Sequence, residues 1–293
     1  MSTVIHFQPD LSRWLVDGLD RGLAPGALVD TMIAERMQPV VARAIVGAFV
    51  DARRDGRAVP TDSITVEQEL SAPAPTPRLA PGSRLRTSDG DVRVLARAES
   101  PTLALLDGVL SPDECAALIT LAGPRLRPST VVDPDSGADV VASYRSSFGM
   151  FFRPGENELV ARLDRRFAAL MGFPLVHGEG LQILRYEPGA GSTPHHDALA
   201  PTNAANEASL ARSGQRRSTL VMYLNDVEAG GETVFPLAGW SVAPHRGRGV
   251  YFESCDALGR VDERSLHVSQ PVTRGEKWVA TKWMRERPFV AAS

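Results

Sequence analysis

The chain has 293 residues, 43% of them hydrophobic, enough for one large domain or one domain with a small companion. Its formal net charge is −3 with no dense Lys/Arg cluster, so no nucleic-acid surface is expected. No apolar run approaches the roughly 18 residues that span a bilayer, and the stretch from Met1 to Pro9 lacks a signal-peptide pattern. Two cysteines, Cys115 and Cys255, are too few for a disulfide framework and fit a cytoplasmic setting away from membranes.

Residues 1–70 read as a helical N-terminal region. Leu11, Trp14, Leu15 and Leu19 share one apolar stripe at helical spacing. Leu28, Met32 and Ile33, then Val41, Ile45, Ala48 and Phe49, mark two further short helices. Helices this short need a covering surface. Packing against the rest of the chain, a protein partner and a homodimer are the open alternatives. Residues 71–82 follow as a linker, because prolines at 73, 75 and 77 favour an extended polyproline II segment.

The remainder, 83–293, is expected to be one α+β domain. Ser88-Asp89-Gly90-Asp91 reads as a hairpin turn, and Leu103–Val109 as a strand. Ser111-Pro112-Asp113-Glu114 is a capping box that predicts a helix to Ala122. A second helix, Asn157 to Met171, places Leu159, Leu163, Phe167, Leu170 and Met171 on one face. Beyond Gly180 short strands dominate: Leu181–Tyr186, Thr219–Leu224, Glu232–Phe235, Gly249–Phe252, Leu266–Gln270 and Trp278–Trp283. The pattern predicts an antiparallel jelly-roll with helices packed on one side. The Ala/Asn/Ser-rich stretch 198–216 lacks periodicity and is expected to be either disordered or a lid that closes on substrate.

The chemistry concentrates in His195-His196-Asp197, with His267 and Lys277 downstream. In an extended strand residues i and i+2 point to one face, so His195 and Asp197 can share a ligand while His196 turns away. The pair is expected at the end of the strand that begins near Leu181. With His267 arriving from a distant strand, it would form a two-histidine, one-carboxylate set suited to non-haem Fe(II) and oxygen chemistry. Lys277 offers a cation to a dicarboxylate co-substrate such as 2-oxoglutarate. Counting from His267 does not fix its face, and a surface lysine in the Gly275-Glu276-Lys277 turn is the alternative.

A longer stretch carries a family resemblance. It includes Gln182-Ile183-Leu184-Arg185-Tyr186-Glu187-Pro188-Gly189 and Pro194-His195-His196-Asp197. It continues through Tyr223-Leu224-Asn225-Asp226-Val227 and Gly230-Gly231-Glu232-Thr233-Val234-Phe235-Pro236 to Lys277-Trp278-Val279-Ala280-Thr281-Lys282-Trp283. Over roughly 103–288 the chain closely resembles the prolyl 4-hydroxylase catalytic domain, a branch of the Fe(II)/2-oxoglutarate-dependent dioxygenases. The resemblance implies a double-stranded β-helix fold with flanking helices and iron held by His195, Asp197 and His267. It places 2-oxoglutarate at Lys277 and Tyr186 with Trp283 near that pocket, and Arg145 and Ser147 as catalytic polar groups beside the substrate. It further implies O2 as co-substrate, ascorbate as reductant, and hydroxylation with release of succinate and CO2.

One position departs from the family. A tyrosine common three residues before the first iron-binding histidine is Ser192 here, which removes a ring that packs on a prolyl side chain. The breadth of the resemblance makes a prolyl residue in a peptide or protein the expected substrate, and Ser192 favours the alternative of a free amino acid, another side chain or other small molecule. A non-catalytic binding or sensing module on the same scaffold is the third reading.

Overall fold

Apolar spacing changes along the chain from helical to alternating, and the architecture changes with it. A computed structural model describes residues 2–35, 37, 39–67, 79–128, 131–132, 139–140, 147–255 and 260–291. The chain divides into two units, Met1–Ala74 and Pro75–Ser293.

The first unit runs β1 (Ser2–His6), α1 (Pro9–Asp20), α2 (Pro25–Ala34), α3 (Pro39–Arg54) and β2 (Ser63–Glu67). All three helices begin at a proline, whose missing N–H is no loss in a first helical turn. Leu15, Leu28, Met32, Ile45 and Phe49 are buried together with Ile64 of β2. The antiparallel β1–β2 pair is a departure from a wholly helical reading. Strands of five residues are too short to show a period, and Ile64 earns its place only by tertiary contact. Most of the proline-rich stretch expected as a linker lies outside the described residues.

The second unit starts with β3 (Arg84–Arg86), β4 (Asp91–Glu99), β5 (Thr102–Asp107) and α4 (Pro112–Ala122). It continues with β6 (Arg127–Pro128), β7 (Val131–Val132), β8 (Asp139–Val140), β9 (Ser147–Phe152), α5 (Glu158–Met171) and β10 (Leu181–Tyr186). Then come α6 (Ala204–Ser213), β11 (Arg216–Tyr223), β12 (Ala229–Gly230), β13 (Thr233–Phe235), β14 (Trp240–Val242) and β15 (Gly249–Glu253). The chain closes with β16 (Val268–Ser269), β17 (Val272–Arg274) and β18 (Lys277–Arg285).

Nine strands form one antiparallel sheet in the order β3-β4-β5-β15-β11-β18-β10-β9-β6, and smaller sheets β14-β13-β16 and β12-β17 accompany it. Alternation sorts the side chains of the large sheet into two cores. On one face Leu181, Ile183, Leu220, Met222, Ala280 and Met284 join Leu118 of α4 and Leu163 and Phe167 of α5. On the other, Leu184, Tyr186, Tyr223, Val250, Phe252 and Val279 meet Phe235, Val242 and Val272 from the small sheets. Helices thus cover one face while the small sheets and the functional cavity occupy the other. The Ser111–Glu114 capping box forms, with both reciprocal hydrogen bonds in place. No described helix is long and apolar enough to cross a membrane.

Part of the stretch 198–216, expected as a loop, is the helix α6. Asn203 caps its N-terminus by accepting from Asn206 N, and Gly214 ends it at φ 70°. Its anchorage comes from the end of β18 and beyond, through Arg285 and Arg287 donating to its last carbonyls.

Candidate active site

β10 ends at Tyr186, and Gly189, at φ +86°, turns the chain out of the large sheet. The next segment runs antiparallel to residues 267–272. Val272 N donates to Ala190 O at 2.9 Å and Ser192 N to Ser269 O at 3.0 Å, while His195 and His267 exchange two backbone hydrogen bonds of 3.0 Å. Gly191 permits this approach, since a Cβ there would stand 2.7 Å from the Ser269 carbonyl oxygen. Ser192 Oγ accepts from Ser269 N at 2.9 Å and pins the same pairing. His195 and Asp197 therefore do not continue the strand that began at Leu181. The physical reason is the Pro188-Gly189 turn, which breaks that strand and hands the segment to a new partner.

This pairing sets the two imidazoles side by side, ring centroids 4.4 Å apart. Nε2 of His195 and Nε2 of His267 each lie 3.8 Å from Asp197 Oδ1, and the three donor atoms fall within 4.8 Å of one another. His195 Nδ1 lies 2.8 Å from Thr193 O and His267 Nδ1 lies 3.0 Å from Ser265 O. A carbonyl can only accept, so both Nδ1 atoms carry the proton and both Nε2 lone pairs turn toward Asp197. The second carboxylate oxygen, Oδ2, accepts from Thr219 Oγ1 at 2.7 Å, leaving Oδ1 for a ligand. Burial alone would raise the Asp197 carboxyl, but in the metal-free protein the charge that His267 and His195 carry when protonated, with Arg216 and the Thr219 hydroxyl, outweighs it and holds it down at about 2. His196 takes no part in the cluster and its Nδ1 contacts Ser265 Oγ at 3.3 Å. Two oriented imidazoles and an ionised carboxylate suit a divalent ion such as ferrous iron, with outer partners fixing each ligand.

The triad opens onto a cavity of about 490 Å³ that Tyr186, Ser192, Lys277 and Trp283 also line. Lys277 begins β18 and is 2% exposed; its Nζ donates to Gly231 O at 2.6 Å and to Ser269 Oγ at 2.8 Å. It is a buried lysine and not a turn residue at the surface. Burial pushes its ammonium down to about 7, against the attraction of Glu232. Among the described residues no carboxylate lies within ion-pair distance of it. The Tyr186 ring centre stands 5.5 Å from Nζ, and Tyr186 pairs with Lys277 across the β10–β18 ladder.

Trp283 shares the cavity face of β18 but sits six residues on, about 20 Å along the strand. Both side chains line the same cavity. Its indole stacks under the Arg216 guanidinium at 4.0 Å, and its Nε1 is buried without a hydrogen-bond partner among the described residues. Ser147 is buried on β9, opposite Tyr186, and is not among the side chains that line the cavity. Arg145 lies outside the described residues.

Several residues of the site carry no local sequence signal. Thr219, Gly231 and Ser269 hold the carboxylate and the ammonium. Glu179 binds Arg216 at 2.7 and 2.9 Å and Arg285 at 3.0 Å, a buried network beside Trp283. Only the alternation on β18 and β11 hints at which of these positions face inward.

The family profile described as the 2OG-Fe(II) oxygenase superfamily matches residues 181–285. Prolyl 4-hydroxylase 1 of Arabidopsis thaliana is 41% identical over 213 residues, covering 68% of this chain and 74% of that protein. Probable prolyl 4-hydroxylase 3 of the same organism is 38% identical over 203 residues, covering 63% and 69% respectively. Among solved structures, the 2OG complex of the viral collagen prolyl hydroxylase vCPH from Paramecium Bursaria Chlorella virus-1 matches with 28% identity and a TM-score of 0.48, over 62% of this chain and 95% of that one. The chain belongs to the prolyl 4-hydroxylase family of 2OG-Fe(II) oxygenases.

Proposed function

We propose that the chain hydroxylates a prolyl residue of a peptide or protein, with ferrous iron at His195, Asp197 and His267 and 2-oxoglutarate at Lys277 and Tyr186. The observation that carries this reading is the single cavity lined by three converging donors and by a buried ammonium whose described partners are neutral. When bound, iron supplies the oxygen chemistry by which 2-oxoglutarate and O2 yield succinate and CO2 and a substrate C–H bond becomes C–OH.

The side chains supply position and charge. Lys277 holds the far carboxylate of the co-substrate in a charge-assisted contact, with the Tyr186 phenol alongside. Thr219 keeps one Asp197 oxygen engaged, so the other turns to the ion. Trp283 and the half-exposed Phe151 give the cavity apolar walls suited to a prolyl ring. Ser192 is accounted for as the pin of the metal-binding segments, and the ring missing at that position leaves room in the cavity. Arg145 and Ser147 enter this reading as polar groups near the substrate on the resemblance alone, since Ser147 is not among the residues that line the cavity.

The same proposal takes the large and small sheets as the two halves of a double-stranded β-helix. It takes residues 83–293 as the catalytic domain, after an N-terminal region of 1–70 and a linker of 71–82. Ascorbate as reductant, a cytoplasmic setting and a homodimer through the N-terminal helices complete it.

The test is turnover of proline-containing peptides with Fe(II), 2-oxoglutarate and O2, followed by mass spectrometry. Succinate release matched by one added oxygen on a prolyl residue is expected. An added oxygen on a free amino acid or a non-prolyl side chain would overturn the substrate assignment. Failure of anaerobically dialysed protein to retain ferrous ion would overturn the metal assignment.

A further inference from the structure

Helix α6 is built as a fixed wall of the cavity, and one side chain on it is poised for a ligand. Arg285, 1% exposed, donates from Nε and Nη2 to Gly214 O and from Nη2 to Ser209 O. Gln215 bonds the Leu199 backbone twice, accepting its N–H at 2.7 Å and donating to its carbonyl at 2.9 Å. Both ends of the segment are thereby tied down. Glu179 then joins Arg285 to Arg216, the residue stacked on Trp283 at the start of the strand that carries Thr219. The helix is thus held in register with the metal triad through buried charge-assisted bonds, not left to swing.

Asn206 stands in the first turn of this helix and lines the same cavity as His195 and Trp283. Its Nδ2 donates to Ala200 O at 2.8 Å, which fixes the amide and leaves a second hydrogen free. Its Oδ1 has no partner among the described residues. One planar amide offering a donor and an acceptor together is complementary to one residue of an extended peptide, whose own N–H and C=O point to the same side. A free amino acid has no such flanking residue beside its reacting carbon.

We propose that Asn206 is a specificity-determining residue that hydrogen-bonds a backbone amide of an extended peptide flanking the target residue, with α6 held in place by the Arg285–Glu179–Arg216 network. The inference rests on the peptide-hydroxylase reading given above and narrows it to substrates with peptide bonds next to the hydroxylated position.

The experiment is a double-mutant cycle between protein and substrate. Wild type and Asn206→Ala are assayed on a short proline-containing peptide and on analogues in which single flanking amides are replaced by esters. Asn206→Ala is expected to raise the peptide KM about three- to tenfold, the range of one neutral hydrogen bond. One ester is expected to cost wild type a similar factor and to cost Asn206→Ala nothing further. Equal ester losses in both enzymes, or an unchanged KM in the variant, would overturn the role of Asn206 while leaving peptide hydroxylation intact. No peptide turnover by wild type would overturn the underlying reading as well. Should Asn206→Ala fail to fold, Asn206→Ser, too short to span the same gap, enters the same cycle with the same deciding outcomes.

Discussion

Lys277 and Lys282 lie on one strand, five residues apart, on opposite faces of the large sheet, and both are almost wholly buried. Lys282, on the helix side, meets the Asp164 carboxylate at 2.7 Å and the Glu179 carbonyl. Lys277, on the cavity side, donates among the described residues to a carbonyl and a hydroxyl and meets no carboxylate there. Burial lowers the ammonium of each, and at Lys282 the attraction of Asp164 opposes it directly. A buried charge with its counter-ion built in is part of the scaffold. One given only dipoles is held ready for a charge that comes from outside.

The largest effect expected from this contrast is on stability. Lys282→Met leaves the Asp164 carboxylate buried without its ammonium and should cost about 3–5 kcal/mol in urea unfolding. Lys277→Met should do the reverse. Relief of the buried ammonium, at 1.36 kcal/mol per pKa unit, outweighs two lost hydrogen bonds and leaves a gain of about 1–3 kcal/mol at neutral pH. If both substitutions destabilise alike, the distinction between the two lysines is wrong.

A second effect separates them in binding. Lys277→Met should raise the 2-oxoglutarate requirement about 10- to 150-fold, the worth of a charge-assisted contact, as read from KM in succinate release. An unchanged requirement would remove Lys277 from the co-substrate site.

The smallest effect concerns protons. In the free protein Lys277 titrates near 7, below its ordinary value of 10.5, so above neutral pH the folded chain binds less proton than the unfolded one. Stability of the ligand-free protein should therefore rise from pH 7 towards 10 through this group. A bound diacid restores the charged form. Co-substrate binding should take up close to one proton at pH 8–9 and almost none at pH 6, measured calorimetrically in buffers of different ionisation heat. Proton release at pH 8 would contradict the assignment.

Strict alternation puts Lys277, Val279, Thr281 and Trp283 on one face of β18, but it does not say which face is inward, so the side to which Lys277 turns stayed open in the sequence. Alternation gives a face and not a position along it, so the place of Trp283 beside the co-substrate came from the resemblance alone. The helix at Pro112 was legible from a capping box whose members are three residues apart. α6 was not, because its Ala/Asn/Ser composition has no apolar stripe and its anchors, Arg285 and Arg287, are about seventy residues away. Separation along the chain likewise hides Glu179 from Arg285, 106 residues away, and Asp197 from Thr219, 22 residues away. The His195-His196-Asp197 triplet gave the ligand types, but the pairing of its segment with 267–272 depends on Gly191 accepting a carbonyl where a Cβ would stand.

That close pairing has a mechanical consequence. An ion bound at His195 and His267 ties together two points 267 − 195 = 72 residues apart in the chain, and the ring so closed contains the strands from β11 to β15. Such a tether restricts the unfolded ensemble more than the folded one, so iron would fasten the fold as well as serve its chemistry. Starving the protein of metal would then shorten its lifetime through easier opening of that ring, before any question of turnover arises.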